Sequence, residues 1–556
     1  MASSFPWTRL YPEHVPAEIG PLEYPTLTAL FETSSARFAD RVAFENMGVR
    51  LTFAETDRLA SAFAAYLQKE LGLRKGERIA IQMPNLLQFP IAFIGALKAG
   101  LIVVNTNPLY TPREMEHQFR DAGISAIVIV ENFASNLEAI RDKVPAKHII
   151  LTSMGDMLGL KGHLVNFVVR KVKKLVPAFS LPGSISFKEA LRKGARLSYD
   201  PVDAGPEDVA VLQYTGGTTG VSKGAQLSHR NLVAHNMMIR AWFTPYLERK
   251  REDIIITALP LYHIFALTVN GVLMYNSGVK NVLITNPRDI PGFVKELRKH
   301  KFTILTGVNT LFNGLLNNPE FASLDFSQLH GAVGGGMAVQ DAVAIKWQQV
   351  TGQPLVEGYG LSETSPVLCC NPLDGKQRRG TIGLPVPSTE VAIFDDDGNQ
   401  LPQGSTGEIC ARGPQVMRGY WEKDNAGVFF GDWFKTGDIG FMDEDGYFRI
   451  VDRKKDMIKV SGFNVFPNEI ENVLAGHPKV LEVAAIGIPD EKSGETIKVF
   501  IVKRDESLTE AEVKDHCHQN LTNYKVPKFV AFRKELPKSN VGKILRRELK
   551  EAELKK

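Results

Sequence analysis

From Arg78 to about Gly360, short β-branched runs alternate with segments of helical pattern, and few architectures accommodate that alternation. RIAIQM (78–83), AIVIV (126–130), DIIITAL (253–259) and FTILTG (302–307) read as strands buried in a parallel sheet. Between them TPREMEHQFRDAG reads as a helix, with Thr111 as its cap, Pro112 at the first helical position, Glu114 closing a capping box and Gly123 as the stop. After Gly380 the texture changes. STEVAIFDDDGNQLPQGSTGEICARG reads as strand, Asp-Gly turn and strand without a helix, so a small antiparallel unit is expected. Beyond DRKKD (452–456) helices near PNEIENVLAG and TEAEVKDHCHQNL alternate with strands near VLEVAAIGI and TIKVFIVKR. The expected fold is α/β: a large N-terminal domain, 1–452, of α/β subdomains whose part 380–452 is β-rich, then a smaller α+β C-terminal domain, 457–556, with the boundary at the charged pentapeptide.

At 556 residues the chain is too long for one core. Its 66 basic and 62 acidic residues leave a net charge of +4, too mild to imply nucleic acid. The first residues lack a basic segment followed by an apolar one, and FPIAFIGALKAGLIVV is cut by Lys98 and falls short of a bilayer crossing. The four cysteines, Cys369, Cys370, Cys410 and Cys517, form no C-x-x-C, which argues against a disulfide framework or a zinc site. These features suit a cytoplasmic protein. One stretch leaves peripheral contact with the inner face of the membrane open. In LVNFVVRKVKKLVPAF (164–179), Leu164, Val168, Val172 and Leu175 fall at helical spacing, while Arg170, Lys171, Lys173 and Lys174 gather largely on another face. Such a helix either packs on its own domain or rests on an anionic bilayer.

YTGGTTGVSKGA (214–225) follows the apolar run DVAVLQ. A glycine-rich turn lets several backbone N–H groups converge on one anion, and hydroxyls and a lysine add donors and charge. A phosphate chain therefore suits Tyr214, Thr215, Gly216, Gly217, Thr218, Thr219, Gly220 and Lys223, although a plain surface turn has the same composition. The P-loop pattern does not fit: counted from Gly216 its glycine and lysine fall at Val221 and Ser222, and from Gly217 at Ser222 and Lys223.

Four further stretches follow in order: YGLSE (359–363), WFKTGD ending at Asp438, IVDRKKDMIKVSGFNVFPNEIE, and PKSNVGKILRREL near the end. With the glycine-rich loop they resemble the adenylate-forming superfamily of acyl-CoA synthetases, luciferases and peptide-synthetase adenylation domains, over nearly the whole chain. The flanking sequence is most similar to bacterial long-chain fatty-acid CoA ligases. The resemblance implies an enzyme that turns fatty acid, ATP and CoA into acyl-CoA, AMP and pyrophosphate through an acyl-adenylate, feeding fatty-acid degradation and lipid metabolism. It implies Mg²⁺ as well.

The residue chemistry is compatible with those tasks. Tyr359, between glycines that permit close approach, offers a flat face for adenine, or else packs in the core. Gly360 and Ser362 adjoin it. Glu363 is a hard oxygen ligand suited to Mg²⁺ on phosphates, where a lone solvated Glu is the plainer alternative. Asp438 can accept from both ribose hydroxyls, and Arg453 adds a ribose or phosphate contact unless DRKK is only a solvated cluster. Gly334, Gly335 and Gly336, after the run LHGAV, would bring backbone against adenine or the acyl chain, without dinucleotide-fold spacing. His263 in PLYHIFAL either orients the substrate carboxylate, as the matching histidine does in the family, or is structural.

Lys543 carries a compact charge suited to the space between carboxylate and α-phosphate. Only the family motif sets it apart from Arg546, Arg547 and Lys550. The resemblance further implies a hinge within 453–456, at Lys455 to within a residue, about which a mobile C-terminal domain brings Lys459, Ser461, Gly462 and Phe463 to the thiol. Three alternatives stay open: a ligase for a medium-chain or aryl acid, a luciferase-type oxidase, and a non-catalytic nucleotide- or acyl-binding module. Chain length is not readable from Phe265 and Leu267, and PLYHIFAL lacks the tryptophan described as a gate in some long-chain relatives.

Overall fold

The computed structural model describes residues 5–215, 222–247, 252–539 and 542–555. Among these residues the strands form sheets of nine, seven, five and five members. In the seven-stranded sheet Arg78–Gln82 lies between Ala126–Val130 and Ile102–Asn105; His148–Thr152 and Ile185–Ser186 extend one side, Val209–Thr215 and Lys223–Ser228 the other. All neighbours are parallel except the last pair. The nine-stranded sheet has a parallel centre of Val356–Gly360, Gly331–Gly334, Ile304–Gly307, Ile254–Thr257, Lys280–Leu283 and Val42–Asn46, with antiparallel strands at both edges.

All four apolar runs lie in these parallel regions, where the side chains of Ile79, Ile81, Ile127 and Ile304 are fully buried. The helix Pro112–Ala122 has the expected capping box, with Thr111 N donating to Glu114 Oε2 at 2.8 Å, and ends at Gly123 in the left-handed region, φ 59°. The stretch 89–104 is mostly a wholly buried helix, Gln88–Lys98, and the strand Ile102–Asn105. Its Lys98 pairs with Glu32 at 2.8 Å and Asp57 at 3.1 Å, so the buried charge is compensated. Among the described residues no helix is long and apolar enough to cross a membrane.

The β-rich part is antiparallel throughout, and its ten-residue strand Trp433–Met442 pairs with both Gly407–Arg412 and Phe448–Arg453. The last sheet joins Val480–Asp490, Gly494–Lys503, Ile458–Val460 and Phe463–Val465 to Phe529–Arg533, an edge strand that the sequence reading missed. Its run FVAFR is apolar but short, and Phe529 and Phe532 stay exposed because the strand lies at the edge of the sheet.

Candidate active site

A cleft of about 2260 Å³ opens where the parallel strands end. Thr215 ends one strand of the seven-stranded sheet, and Gly334 and Gly360 end neighbouring strands of the nine-stranded sheet. Crevices at the carboxyl ends of α/β strands are where such folds bind ligands. The β-rich part and the segment 538–548 supply the remaining walls. Tyr214, Thr215, Lys223, His263, Gly335, Gly336, Tyr359, Gly360, Ser362, Glu363, Asp438, Arg453, Lys455 and Lys543 all line this cleft.

Strand register places Asp438 directly opposite Arg453. Their side chains meet at 3.0 Å, Arg453 Nε to Asp438 Oδ1, and Tyr359 OH donates to Asp438 Oδ2 at 2.7 Å. A carboxylate has about four acceptor positions, so two remain for a further pair of donors. Burial, then the Asp438 charge, pushes the Tyr359 phenol well above its ordinary pKa, which keeps it a donor. Gly360 admits no side chain, because a Cβ there would lie 2.0 Å from Pro366 O. At Gly335 a Cβ would come within 3.1 Å of both Gly358 O and the Phe265 ring. Gly334 ends its strand just before that contact.

Glu363 stands in the turn Ser362–Thr364 and is buried; its Oε1 accepts from Tyr420 OH at 2.8 Å. Burial raises its pKa, while the Tyr420 hydroxyl opposes the rise. Lys223 Nζ lies 5.3 Å from the centre of the Tyr420 ring, so Glu363 and the end of the glycine-rich loop meet around one aromatic side chain. Among the described residues no three His, Cys, Asp or Glu side chains gather as a metal cage. One carboxylate still fits Mg²⁺, which commonly takes one or two carboxylates and fills its shell with phosphate and water.

The hydroxyl of Tyr214 is committed to Asp121 Oδ2 at 2.7 Å, and Asp121 also pairs with Lys423. Tyr214 therefore presents ring and backbone, not a free hydroxyl. Gly216, Gly217, Thr218, Thr219 and Gly220 lie outside the described residues, between the paired Thr215 and Lys223.

Lys543 enters from the C-terminal part. Ser539 N donates to Lys543 O at 2.7 Å, and Thr310 Oγ1 donates to Gly542 O at 2.8 Å, docking this turn on the large domain. Burial, followed by the Arg453 charge, lowers the Lys543 pKa to about 8. His263 is lowered to about 4, by burial and then by Lys543, so its ring is neutral. Phe265 N donates to His263 Nδ1 at 3.4 Å, which assigns the ring proton to Nε2.

The structure does not bring every candidate together. Lys459, Ser461, Gly462 and Phe463 lie exposed outside the cleft, with Phe463 stacked on Tyr524 at 4.8 Å. Leu267 is buried beneath the cleft wall, whereas Phe265 lines it. Three residues that sequence reasoning missed stand out. Tyr420 holds Glu363, and nothing in RGYW marks it. Glu357 lines the cleft just before Tyr359, accepts from Val339 N at 3.3 Å, and is raised to about 8 by burial. Arg546, passed over as one more cation of a basic helix, pairs with Asp452, Asp456 and Glu471.

The model of the AMP-binding enzyme family matches residues 31–421, and that of the AMP-binding enzyme C-terminal domain matches 469–543. The long-chain-fatty-acid–CoA ligase of Yersinia pestis is 59% identical over 99% of this chain and 98% of its own. That of Escherichia coli O6:H1 is 58% identical over 98% of each chain. Among solved structures, the anthranilate CoA ligase AuaEII in complex with anthranoyl-AMP superposes with a TM-score of 0.84 at 27% identity, covering 96% of this chain and 98% of its own. With the cleft, its Tyr359–Asp438–Arg453 group and the inserted Lys543 already in place, these matches establish that the chain belongs to the AMP-binding enzyme family.

Proposed function

We propose that the chain is a long-chain fatty-acid CoA ligase of the cytoplasm. A carboxylate is a poor electrophile. One of its oxygens attacks the α-phosphorus of ATP, the bond to the β-phosphate breaks, and pyrophosphate leaves. The thiol sulfur of CoA then attacks the acyl carbonyl, AMP leaves, and the thiol gives up its proton.

The observation that carries this reading is Lys543 inside the cleft beside Arg453 and His263. Tyr359 and Gly334–336 take the adenine, Asp438 and Arg453 the ribose, and the loop from Tyr214 to Lys223 the phosphates. Glu363 would hold Mg²⁺, which when bound neutralises phosphate charge. Lys543 stabilises the charge gathering between carboxylate and α-phosphate. Neutral His263 orients the carboxylate through Nε2–H.

CoA needs access to the same carbonyl, whereas Lys543 lies in the cleft and Lys459, Ser461, Gly462 and Phe463 lie outside it. We assign a mobile domain, 457–556, turning on 453–456 at Lys455 against the domain 1–452. AMP release across acids from acetate to oleate, with and without CoA, tests the reading. A CoA-dependent maximum at long chains is expected; a maximum at an aryl or medium-chain acid would replace the substrate, and no AMP release with any acid would overturn the function.

A further inference from the structure

We propose that the segment 159–175 is a docking surface for a bilayer containing anionic lipid. The helix Gly159–Phe167 runs on into the wider helical turn Val168–Val172. One face is seated. Gly162 lies so close to Gly155 that a Cβ on it would come within 1.9 Å of Gly155 O. Asn166 Oδ1 accepts from Gly155 N at 2.7 Å, Val169 is buried, and Arg170 pairs with Glu131 at 2.7 Å.

Among the described residues nothing covers the other face. Leu160 is 90% exposed, Leu164 65%, Phe167 57%, Val172 64% and Leu175 50%. These are five of the thirteen exposed large hydrophobic side chains among the described residues, gathered in one short segment. A face this apolar normally has a partner. Lys161, Lys171, Lys173 and Lys174 are exposed around it, and no Asp or Glu occurs from 159 to 175.

That charge pattern selects the occupant. A second copy of the same face would bring lysines against lysines. An anionic bilayer supplies hydrocarbon for the Leu, Phe and Val side chains and phosphates for the ammonium groups, whose aliphatic stems can lie along the apolar row. The helix is far too short to span, so it would lie in the interface plane. The surface stands apart from the catalytic cleft, and its argument holds whichever acid is activated.

The test is flotation of the full-length protein with vesicles of phosphatidylcholine alone or mixed with phosphatidylglycerol. The wild type should float with the mixed vesicles and be released by added salt. Each basic residue near such a surface is worth about fivefold in partition. Lys173→Glu/Lys174→Glu should therefore lower binding at least about tenfold, and Leu164→Ser/Phe167→Ser should do likewise with little regard to salt. Both pairs are exposed, so thermal unfolding and acyl-CoA formation from oleate in detergent should stay at wild-type level. An absence of ligase activity in every form would reject the function and leave the surface assignment standing. Equal flotation of all three proteins, or no binding of the wild type to mixed vesicles, would overturn the proposal. So would a dimer, seen by light scattering, that both variants dissolve.

Discussion

Arg546 Nη1 lies 3.1 Å from Asp452 Oδ1 and so ties the helix that follows Lys543 to the strand that carries Arg453. The same guanidinium holds Glu471 at 2.6 Å and Asp456 at 3.4 Å, and Asn468 Oδ1 accepts from it as well. Asp452 is fully buried, and its second oxygen accepts from Asn468 N at 2.8 Å. The clasp thus spans both sides of the 453–456 turn, three residues away from Lys543.

Arg546→Gln should therefore misplace Lys543 and leave Asp452 an unpaired buried acid. Breaking such a pair costs about 3 kcal/mol or more. Adenylation should fall by about 10²-fold, the scale of a misplaced reacting group, while CoA transfer from supplied acyl-AMP persists. The stability loss has a direction in pH. Burial, opposed by Arg546, raises the Asp452 pKa from 3.8 to about 6. Between those values the folded state holds the proton more tightly than the unfolded chain, so this group's contribution to stability falls as pH rises. Without Arg546 the folded pKa climbs further and the window widens towards neutrality. Thermal melts should show a larger deficit near about pH 8 than near about pH 5; a pH-independent deficit would separate Arg546 from Asp452.

Lys543→Ala should lower acyl-AMP formation by about 10²-fold or more, as losing a key electrostatic donor does, with CoA transfer largely intact. Because the wild-type ammonium titrates at about 8, adenylation should decline as pH rises through that value. Lys543→Arg keeps its charge there, so the alkaline decline should disappear even if the planar head fits less well. Rate measurements of each half-reaction against pH check this. Equal damage to both half-reactions in folded Lys543→Ala would remove the residue from the adenylation step.

Glu363→Gln preserves shape but discards the charge that would hold Mg²⁺. The Mg²⁺ needed for half-maximal adenylation should rise by about tenfold or more, the scale of one lost charged ligand contact. Tyr420→Phe removes only the hydroxyl that supports Oε1, and a smaller shift in the same direction is expected. An unchanged Mg²⁺ titration in Glu363→Gln would exclude it as the ligand.

The buried strands and the Thr111 capping box were legible because their causes are local: β-branched runs, a cap and its Glu at fixed spacing, and a stopping glycine. Tyr359 and Asp438 were legible as chemistry, but not as a hydrogen-bonded pair, because 79 positions separate them and only the fold brings them to 2.7 Å. Arg546 was lost for the opposite reason. Beside Arg547 and Lys550 it looks like a solvated charge, and its four partners come from other elements. Leu164, Val172 and Leu175 were seen at helical spacing, yet periodicity gives the direction of an apolar face without saying what covers it.

The two-state reading can be tested by locking the Lys543 turn in place. A proline at Lys455 is the obvious device, but Asp456 N donates to Arg453 O at 3.0 Å, closing a turn in which Lys455 is the third residue. Proline there forces the preceding residue out of the helical region and would break the arrangement it was meant to trap. The docked turn offers a cleaner route. A Cβ at Gly542 would lie 3.9 Å from Thr310 Cβ, within the separation that a disulfide bridges. The four native cysteines are buried and leave the engineered pair free to react selectively. Gly542 has φ 81°, so a cysteine there carries some strain, and the oxidised and reduced forms of one protein must be compared with each other. Oxidised Thr310→Cys/Gly542→Cys should form acyl-AMP and pyrophosphate in a single turnover at nearly the reduced rate. Its thioester formation should drop by at least about 10²-fold, the effect of keeping the reacting groups apart, and a reductant should restore it. Oxidised protein that forms acyl-CoA as fast as reduced protein would show that Lys543 need not leave the cleft, and the hinge at Lys455 would lose its purpose.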